Sequence, residues 1–338
     1  MRKFNLFIVL FLFTGLIMAA KIVPLPGIYN PRYVFVQKGY VYIVEGTTIS
    51  IFSEKDFKLI KKFGKQGEGP QEFKRTVAGI YFQGDHMVVS SMGRASYFTL
   101  DGTFIKEKNI VSSMGWDFIP IGDHFVGRSV KRDEKTRYRT LNIYDSNLKK
   151  VKEYYKLEHP FQERKGIRLF TLSGLTFVHD NKILITFEKG FVIDIFNEKG
   201  EKLPSIKRDD YQLVELTEKY KQAVYTFYKT NPRTKDRFDE LKQQLVFPKY
   251  LNAIRDLYAA DKKIYIRTYR QVDNKTEFFI YHTNGKFIKK VLLPTLEKDG
   301  FEYATYHYTV GGGKFYLLFE NEDTEEWELH ITGIPTGG

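Results

Sequence analysis

The stretch GIYFQGDHMVVSSMGRASYFTLDGTFIK, residues 79–106, decides the fold of this chain. It consists of short apolar runs, among them Met87–Val89 and Ser96–Phe98, which are separated by turns. One turn contains Asp101 and Gly102, residue types that tolerate the positive φ of a tight β-hairpin. Runs of this length, bounded by turn residues, predict consecutive antiparallel strands.

Each part of this unit recurs along the chain of 338 residues. The strand after the first turn has six copies: Tyr40–Val44, Met87–Val89, His124–Val126, Lys182–Ile185, Lys263–Ile266 and Lys314–Leu318. The following strand also has six: Thr48–Phe52, Ser96–Phe98, Thr140–Tyr144, Phe191–Phe196, Glu277–Tyr281 and Trp327–Ile331. The hairpin turns near positions 55, 102, 147 and 200 are 47, 45 and 53 residues apart. Such a period, roughly 40–50 residues, is typical of one four-stranded propeller blade.

The repeat predicts an all-β fold, a six-bladed β-propeller of four-stranded blades that occupies residues 21–338. A β-sandwich also has alternating strands, but it lacks a repeating turn at a near-constant interval. Aromatic residues make up 16% of the chain and favour sheet structure further. We expect an N-terminal strand to close the ring, either Ile22–Leu25 or Tyr33–Val36.

A helical insertion is predicted over residues 211–249, between blades 4 and 5. Its first helix has apolar residues at helical spacing, namely Tyr220, Val224 and Phe227. Asn231 and Pro232 have the residue types of an N-cap followed by the first position of a second helix. One face of that helix would carry Phe238, Leu241 and Leu245, and Pro248 would end it. The insertion could be a lid, a partner surface or a packed decoration.

The N-terminal 20 residues have the layout of a secretory signal peptide. Arg2 and Lys3 precede an apolar run from Phe4 to Ala20, and cleavage would follow Ala20. Met18 stands where signal peptidase prefers a small residue, so an uncleaved membrane anchor stays an alternative. The chain contains no cysteine, which excludes disulfides, thiolate metal sites and a lipid-anchored lipoprotein. We therefore expect an exported protein, periplasmic, cell-surface or secreted.

The formal net charge is +12, which raises the chance of an acidic partner. The basic residues are scattered, however, and none of them form a run of five or more. No interleaved basic and aromatic motif of an RNA-binding protein is present either. We expect a monomer with a protein, peptide or glycan ligand, no nucleic acid, and membrane contact only if the N-terminal segment is uncleaved.

The segment FGKQGEGPQEF, residues 63–73, resembles the repeat of bacterial six-bladed propellers related to NHL-repeat proteins. In that family a glycine-rich turn ending in Gly-Pro-x-x-Phe leads into the innermost strand of a blade. The matching positions here are Gly64, Gly67, Gly69, Pro70 and Phe73. The resemblance extends over nearly the whole mature chain and includes the helical insertion before blade 5.

Two departures from the NHL pattern bear on function. An NHL repeat carries proline just before the inner strand, where this chain has Thr76 and Val77. It also carries an acidic residue at the end of the second strand. Only one of the six copies of that position in this chain is acidic. The six residues at that position are Glu45, Ser91, Ser129, Phe187, Thr268 and Phe319. Propeller lactonases and amidating lyases, which resemble this fold, hold a metal in the central channel through carboxylate, asparagine or histidine side chains. The six residues at this position do not supply such a set of ligands.

No catalytic, metal-binding or cofactor-binding constellation emerges from the sequence. The glycines of the 63–73 turn are followed by proline and not by a helix, so they do not form a nucleotide loop. A Gly-x-Ser-x-Gly nucleophile elbow is absent. The seven histidines form no pair at i, i+2 or i, i+4: His86, His124, His159, His179, His282, His307 and His330.

Two charged residues interrupt otherwise apolar second strands at matching positions of blades 3 and 5. These are Arg128 and Arg267. A guanidinium near one rim of the channel could hold a carboxylate, phosphate or sulfate. The alternative is that each arginine pairs with an acid of a neighbouring blade or reaches solvent.

Three functions follow as hypotheses. The first is an exported, non-catalytic propeller that binds a ligand or partner on its channel face or insertion. The second is a metal-dependent hydrolase or lyase of the lactonase-like type, which would need at least three convergent metal ligands in the channel. The third is a membrane-anchored scaffold protein, which would need an uncleaved N-terminus.

Overall fold

The structure is a computed structural model of the chain. It describes residues 20–335 except 70, 75, 78, 92, 110–117, 133–135, 161–165, 170–174, 187–189 and 296–306. Residues 1–19, and with them almost all of the predicted signal peptide, lie outside the described residues. Phe187, one of the six second-strand positions, also lies outside them.

Six four-stranded antiparallel sheets form the propeller, and the first five have their strands in chain order from the channel outward. A strand that belongs to the last sheet, β1 (Lys21–Pro24), comes first in the chain. The first sheet has β2 (Tyr33–Gln37), β3 (Tyr40–Glu45), β4 (Thr48–Ser53) and β5 (Leu59–Phe63). The second has β6 (Gly79–Gln83), β7 (His86–Ser91), β8 (Arg94–Thr99) and β9 (Phe104–Asn109). The third has β10 (Phe118–Ile121), β11 (His124–Arg132), β12 (Thr136–Tyr144) and β13 (Lys150–Pro160).

After the short strand β14 (Ile167–Arg168), the fourth sheet has β15 (Leu175–His179), β16 (Lys182–Thr186), β17 (Val192–Asn197) and β18 (Lys202–Lys207). The insertion has helix α1 (Glu218–Thr230), a 3₁₀ turn (Lys235–Arg237), helix α2 (Phe238–Gln244) and β19 (Leu245–Val246). The fifth sheet has β20 (Asp256–Ala260), β21 (Lys263–Val272), β22 (Lys275–His282) and β23 (Phe287–Pro294). The sixth has β24 (Tyr308–Gly311), β25 (Lys314–Asn321) and β26 (Glu326–Gly333).

The second strands are rich in apolar residues because a neighbouring sheet covers each face. In β3, the four residues from Val41 to Val44 are all fully buried. The innermost strands are neighbours around the ring, with β10 beside β15, β20 beside β24, and β24 beside β2. The predicted all-β, six-bladed architecture is confirmed, and so is the position of the insertion between the fourth and fifth sheets.

The ring is closed by the first of the two N-terminal strands that the sequence left open. β1 pairs with β26 in antiparallel register, Lys21 opposite Ile331, and becomes the outer strand of the sixth sheet. The amide of Leu25 then donates to the carbonyl of Trp327 over 2.8 Å. Residues from both ends of the chain thus share one sheet, which removes the open edges of an unclosed ring.

The glycine-rich segment connects β5 to β6 and folds as a turn, as predicted. The side chain of Phe73 is fully buried, and its backbone amide donates to Lys65 over 2.9 Å. The amide of Gly67 donates to the carbonyl of Phe73 over 3.1 Å. The aromatic ring therefore anchors the turn in the core between the first two sheets.

Both predicted helices are present, but the boundary assigned to Asn231 and Pro232 was wrong. Asn231 ends α1, where its amide donates to the carbonyl of Phe227 over 2.9 Å. Its side-chain oxygen accepts from the amide of Arg233 over 2.9 Å and closes a turn. The same Asn-Pro pair fits a turn after a helix as well as the start of one, and the hydrogen bonds select the first.

The insertion packs on itself and on the segment before the fourth sheet. The predicted face of the second helix is confirmed for Phe238 and Leu241, which share one apolar cluster with Val224 of α1. Leu245 joins the same cluster from β19, because the helix ends at Gln244 and not at Pro248. β19 pairs in parallel with β14, which joins the insertion to the propeller. No helix among the described residues is long and apolar enough to cross a membrane.

Candidate functional site at the fifth sheet

The fifth sheet departs from the repeat in its second strand. In the other sheets, the register shifts of the described ladders lie between the third and fourth strands. The fifth sheet has such a shift too, but the pairing of β21 with β22 also jumps, from Arg267–Phe278 to Gln271–Thr276. Three residues of β21, positions 268–270, therefore face the single residue Glu277. Irregularities of this kind are enriched next to functional sites, because they redirect side chains.

The two arginines on either side of this irregularity, Arg267 and Arg270, lie in different environments. The guanidinium carbon of Arg267 lies 5.4 Å from the ring centre of Tyr308, which belongs to the sixth sheet. The guanidinium carbon of Arg270 lies 5.6 Å from the ring centre of Tyr211, in the segment after the fourth sheet. One strand end thus supplies a cation to each of the two interfaces of the fifth sheet.

The residues around Arg267 are named the tyrosine–arginine cluster. It comprises Tyr220, Arg255, Asp256, Tyr258, Arg267, Tyr269 and Tyr308. Arg267 is 3% exposed, and its carbonyl accepts the amide of Arg255 over 2.9 Å. The guanidinium carbon of Arg255 lies 5.2 Å from the ring centre of Tyr269. Asp256 is the first residue of the innermost strand β20, so the cluster lies at one end of the channel wall.

The carboxylate of Asp256 is already engaged within the cluster. One of its oxygens accepts the hydroxyl of Tyr308 over 2.9 Å, and the other accepts the amide of Leu257 over 2.8 Å. Arg267 stands directly opposite Asp256 in the ladder. With two guanidinium groups and one carboxylate, the cluster has a formal excess of one positive charge.

Burial keeps the tyrosines of the cluster neutral. It raises the pKa of Tyr308, and the negative charge of Asp256 raises that pKa further. Burial also raises the pKa of Tyr258 to about 12, and the hydroxyl of Thr309 donates to that of Tyr258. The pKa of Tyr220, in α1, is raised by burial as well, with Arg255 nearby opposing the shift. The insertion therefore reaches the cluster through α1, and the tyrosines present hydroxyl groups and not phenolates.

Arg128 and Arg267 occupy matching positions, as the sequence predicted, yet they belong to different interfaces. Arg128 is on the same face of β11 as Val126, whose side chain packs against the fourth sheet. There it opposes the rise that burial causes in the pKa of Tyr154. Arg267 is on the face of β21 that packs against the sixth sheet. The fold separates the two candidates into two sites.

The described second-strand end positions mainly serve the fold. The carboxylate of Glu45 accepts the amides of Tyr29 and Asn30 over 2.7 and 3.0 Å, and so holds the turn before β2. The hydroxyls of Ser129 and Thr140 share a hydrogen bond of 2.6 Å. Within the described part of the chain, no three His, Asp or Glu side chains are grouped closely enough to hold a metal ion.

Sequence reasoning identified Arg267 but missed Arg255, Asp256 and the tyrosines around them. A usable signal was the length of the strand, because β21 has ten residues where β3 has six. The extra residues begin with Tyr269 and Arg270, which continue the strand beyond the repeat. Polar residues that extend a strand past its repeat length cannot serve the repeat itself.

The fold and the site define the class of the protein as a six-bladed β-propeller with a polar cluster at the fifth sheet. No protein-family model matches the chain, and no curated protein matches it either. Among solved structures, it is similar to a member of the DUF4221 family from Bacteroides vulgatus, with 11% identity and a TM-score of 0.51. That match covers 93% of this chain and 97% of the other.

A second similar structure is described as a "Putative exported protein" from Bacteroides fragilis. It has 8% identity and a TM-score of 0.49, over 93% of this chain and 94% of the other. At these identities, the similarity to the first structure concerns the fold alone. Function has to be argued from the residues of this chain.

Proposed function

We propose that this protein is an exported, non-catalytic binding propeller that recognises an anionic glycan at the tyrosine–arginine cluster. The observation that carries the proposal is the presence in one cluster of a buried arginine, Arg267, and a partly exposed one, Arg255, at one end of the innermost strand of the fifth sheet. A buried charge is costly to desolvate, and a ligand of opposite charge offsets that cost more strongly in a low-dielectric site than in water.

The chemistry of the cluster suits a sugar that carries a carboxylate or sulfate. Arg255 is partly exposed, so a ligand can reach it. Guanidinium groups bind carboxylate and sulfate oxygens with two parallel hydrogen bonds. Tyrosine offers an apolar ring and a polar tip, which matches the mixed surface of a sugar. Arg267, which is buried, adds positive potential to the cluster.

Replacing Arg255 by glutamine is expected to weaken binding of an acidic polysaccharide, for example a polyuronate, by about tenfold or more. The expectation follows from the loss of a charge-assisted hydrogen bond of about 1.5–3 kcal/mol. The measurement is calorimetric titration of the mature protein, with a neutral glucan as the ligand control. Arg233→Gln is the matched protein control, since Arg233 is exposed in the turn after α1 and does not belong to the cluster.

Equal affinity of the Arg255→Gln variant and the unaltered protein would contradict the proposal. Binding of acidic peptides in preference to acidic glycans would redirect it to a peptide ligand at the same cluster. Arg128 stays a separate prediction of an anion contact in the interface of the third and fourth sheets. The glycine-rich turn supports our further inference that the chain is a distant relative of NHL-repeat propellers.

Export rests on the charged and apolar N-terminal segment. The ring-closing strand β1 begins at Lys21, directly after the predicted cleavage point, so cleavage after Ala20 leaves that strand complete. We expect mass spectrometry of the protein from its native host to give an N-terminus at Lys21. A mature chain that keeps residues 1–20 would instead favour the membrane-anchored scaffold.

A further inference from the structure

A cleft between the fourth and fifth sheets lies in the other interface from the tyrosine–arginine cluster. The chain enters it after β18, through residues 208–212, and crosses the outer strands of the fifth sheet. The cleft has a volume of about 270 Å³. Its lining consists of Arg208, Asp210, Tyr211, Gln212, Arg270, Glu277, Phe279, Phe287 and Lys290.

The cleft contains a buried carboxylate. Glu277 is 3% exposed, and it is the residue that faces the irregularity in β21. One carboxylate oxygen accepts the hydroxyl of Thr268 over 3.2 Å, and the other lies 3.3 Å from the ammonium nitrogen of Lys290. The strand irregularity thus brings a polar group to a carboxylate that the apolar repeat would not accommodate.

A buried hydroxyl lies beside this carboxylate. The hydroxyl of Tyr211 is close to Thr268 and Glu277, and burial raises its pKa. A hydrogen bond with the side chain of Thr268 partly opposes that rise. Thr268, Tyr211 and Glu277 thus form a polar group at one side of the cleft.

The guanidinium of Arg208 is held in place by aromatic stacking. Its central carbon lies 4.8 Å from the ring centre of Phe279 and 5.3 Å from that of Phe287. Asp210 lies 3.0 Å from one of its nitrogens. A guanidinium that is already ordered loses less entropy when it binds an anion.

The second guanidinium, that of Arg270, is anchored at one side. One of its nitrogens donates to the carbonyl of Gln212 over 3.1 Å, and the group lies over the ring of Tyr211. A guanidinium has five N–H donors in a planar fork, so this contact leaves capacity for a carboxylate. Three cations and two carboxylates line the cleft, a formal excess of one positive charge.

We propose that this cleft is a second binding site, independent of the proposed function, for a small organic acid that also carries a hydroxyl group, such as a single sugar acid. The carboxylate of the ligand pairs with Arg270 and Arg208. The hydroxyl of the ligand donates a hydrogen bond to the carboxylate of Glu277 and accepts one from the hydroxyl of Tyr211. The volume is just below the range of about 300–1,000 Å³ that holds drug-sized ligands, which limits the occupant to one small molecule.

The test is calorimetric titration of the mature protein with glucuronate, with glucose as the neutral probe of the same size. We expect glucuronate to bind and glucose to bind at least tenfold more weakly. Arg270→Gln is expected to reduce the affinity for glucuronate at least tenfold, and Arg270→Lys to recover part of it. Arg233→Gln, in the turn after α1, is expected to leave it unchanged.

A circular-dichroism melt of each variant shows whether it is folded. Arg270 is partly exposed, so both of its substitutions are expected to fold. Absence of glucuronate binding, equal binding of glucose, or unchanged affinity in folded Arg270→Gln would each overturn the assignment. Loss of glucuronate binding in Arg255→Gln alone would place the acid at the tyrosine–arginine cluster and also overturn it. If polyuronate binding does not depend on Arg255 but glucuronate binding depends on Arg270, the proposed function fails and the cleft assignment stands.

Discussion

Replacing Val23 by aspartate is expected to lower the free energy of unfolding by about 4 kcal/mol, because an unpaired charge would enter the core of the closing sheet. Val23 is 9% exposed and belongs to the apolar cluster that joins the two ends of the chain, with Trp327 and Leu329 among its members. The measurement is urea unfolding of the mature protein, followed by tryptophan fluorescence.

The adjacent residue provides the matched control. Ile22 is on the same strand, is 54% exposed, and points away from that cluster. Ile22→Asp should therefore change stability by no more than about 0.5 kcal/mol, although it adds the same charge to the same strand. If the two substitutions destabilise the protein equally, then closure of the ring by β1 does not contribute to its stability as described.

Replacing Gly64 by alanine is expected to lower the free energy of unfolding by about 3 kcal/mol. Gly64 has a φ of 88°, a conformation that penalises any L side chain. A methyl group there would also stand 2.4 Å from the carbonyl oxygen of Thr47 and 2.7 Å from the ring of Phe73. Because Phe73 is fully buried, neither the ring nor the backbone can yield at low cost.

Gly39 separates the two causes. It has a similar φ of 83°, but nothing lies within 4 Å of the position that its added carbon would take. Gly39→Ala should therefore carry the backbone penalty alone, about 1 kcal/mol. Thermal or urea unfolding of both variants gives the comparison, and equal losses would show that the close packing of Phe73 against Gly64 has no energetic weight.

The strand pattern could be predicted because it depends on local chemistry. The apolar runs of β3 and β16, and the turn residues Asp101 and Gly102, encode strands and hairpins through the conformations that those residues favour. The repeat then implies that each sheet covers the next. The helical face of Phe238 and Leu241 was likewise visible as a period, since both residues pack in one cluster.

Pairing between distant residues could not be predicted in the same way. Both Ile22–Leu25 and Tyr33–Val36 had the composition of a closing strand, and the choice depended on which of them meets β26, some 300 residues later. The error at Asn231 has a related cause, because the same residue types favour the start of a helix and the turn after one. Long-range pairing with β26 decided the first case, and local hydrogen bonds with Phe227 and Arg233 decided the second.

The sequence by itself determined the class of fold, the number of blades and the site of the insertion, because these follow from the spacing of apolar and turn residues. It also pointed to Arg267 as a charge in an apolar strand. Only the tertiary structure decided what surrounds that charge. The irregularity in β21 places Arg267 in one interface and Arg270 in another. The partners of both come from other segments of the chain, whose proximity is set by closure of the ring and not by any local preference.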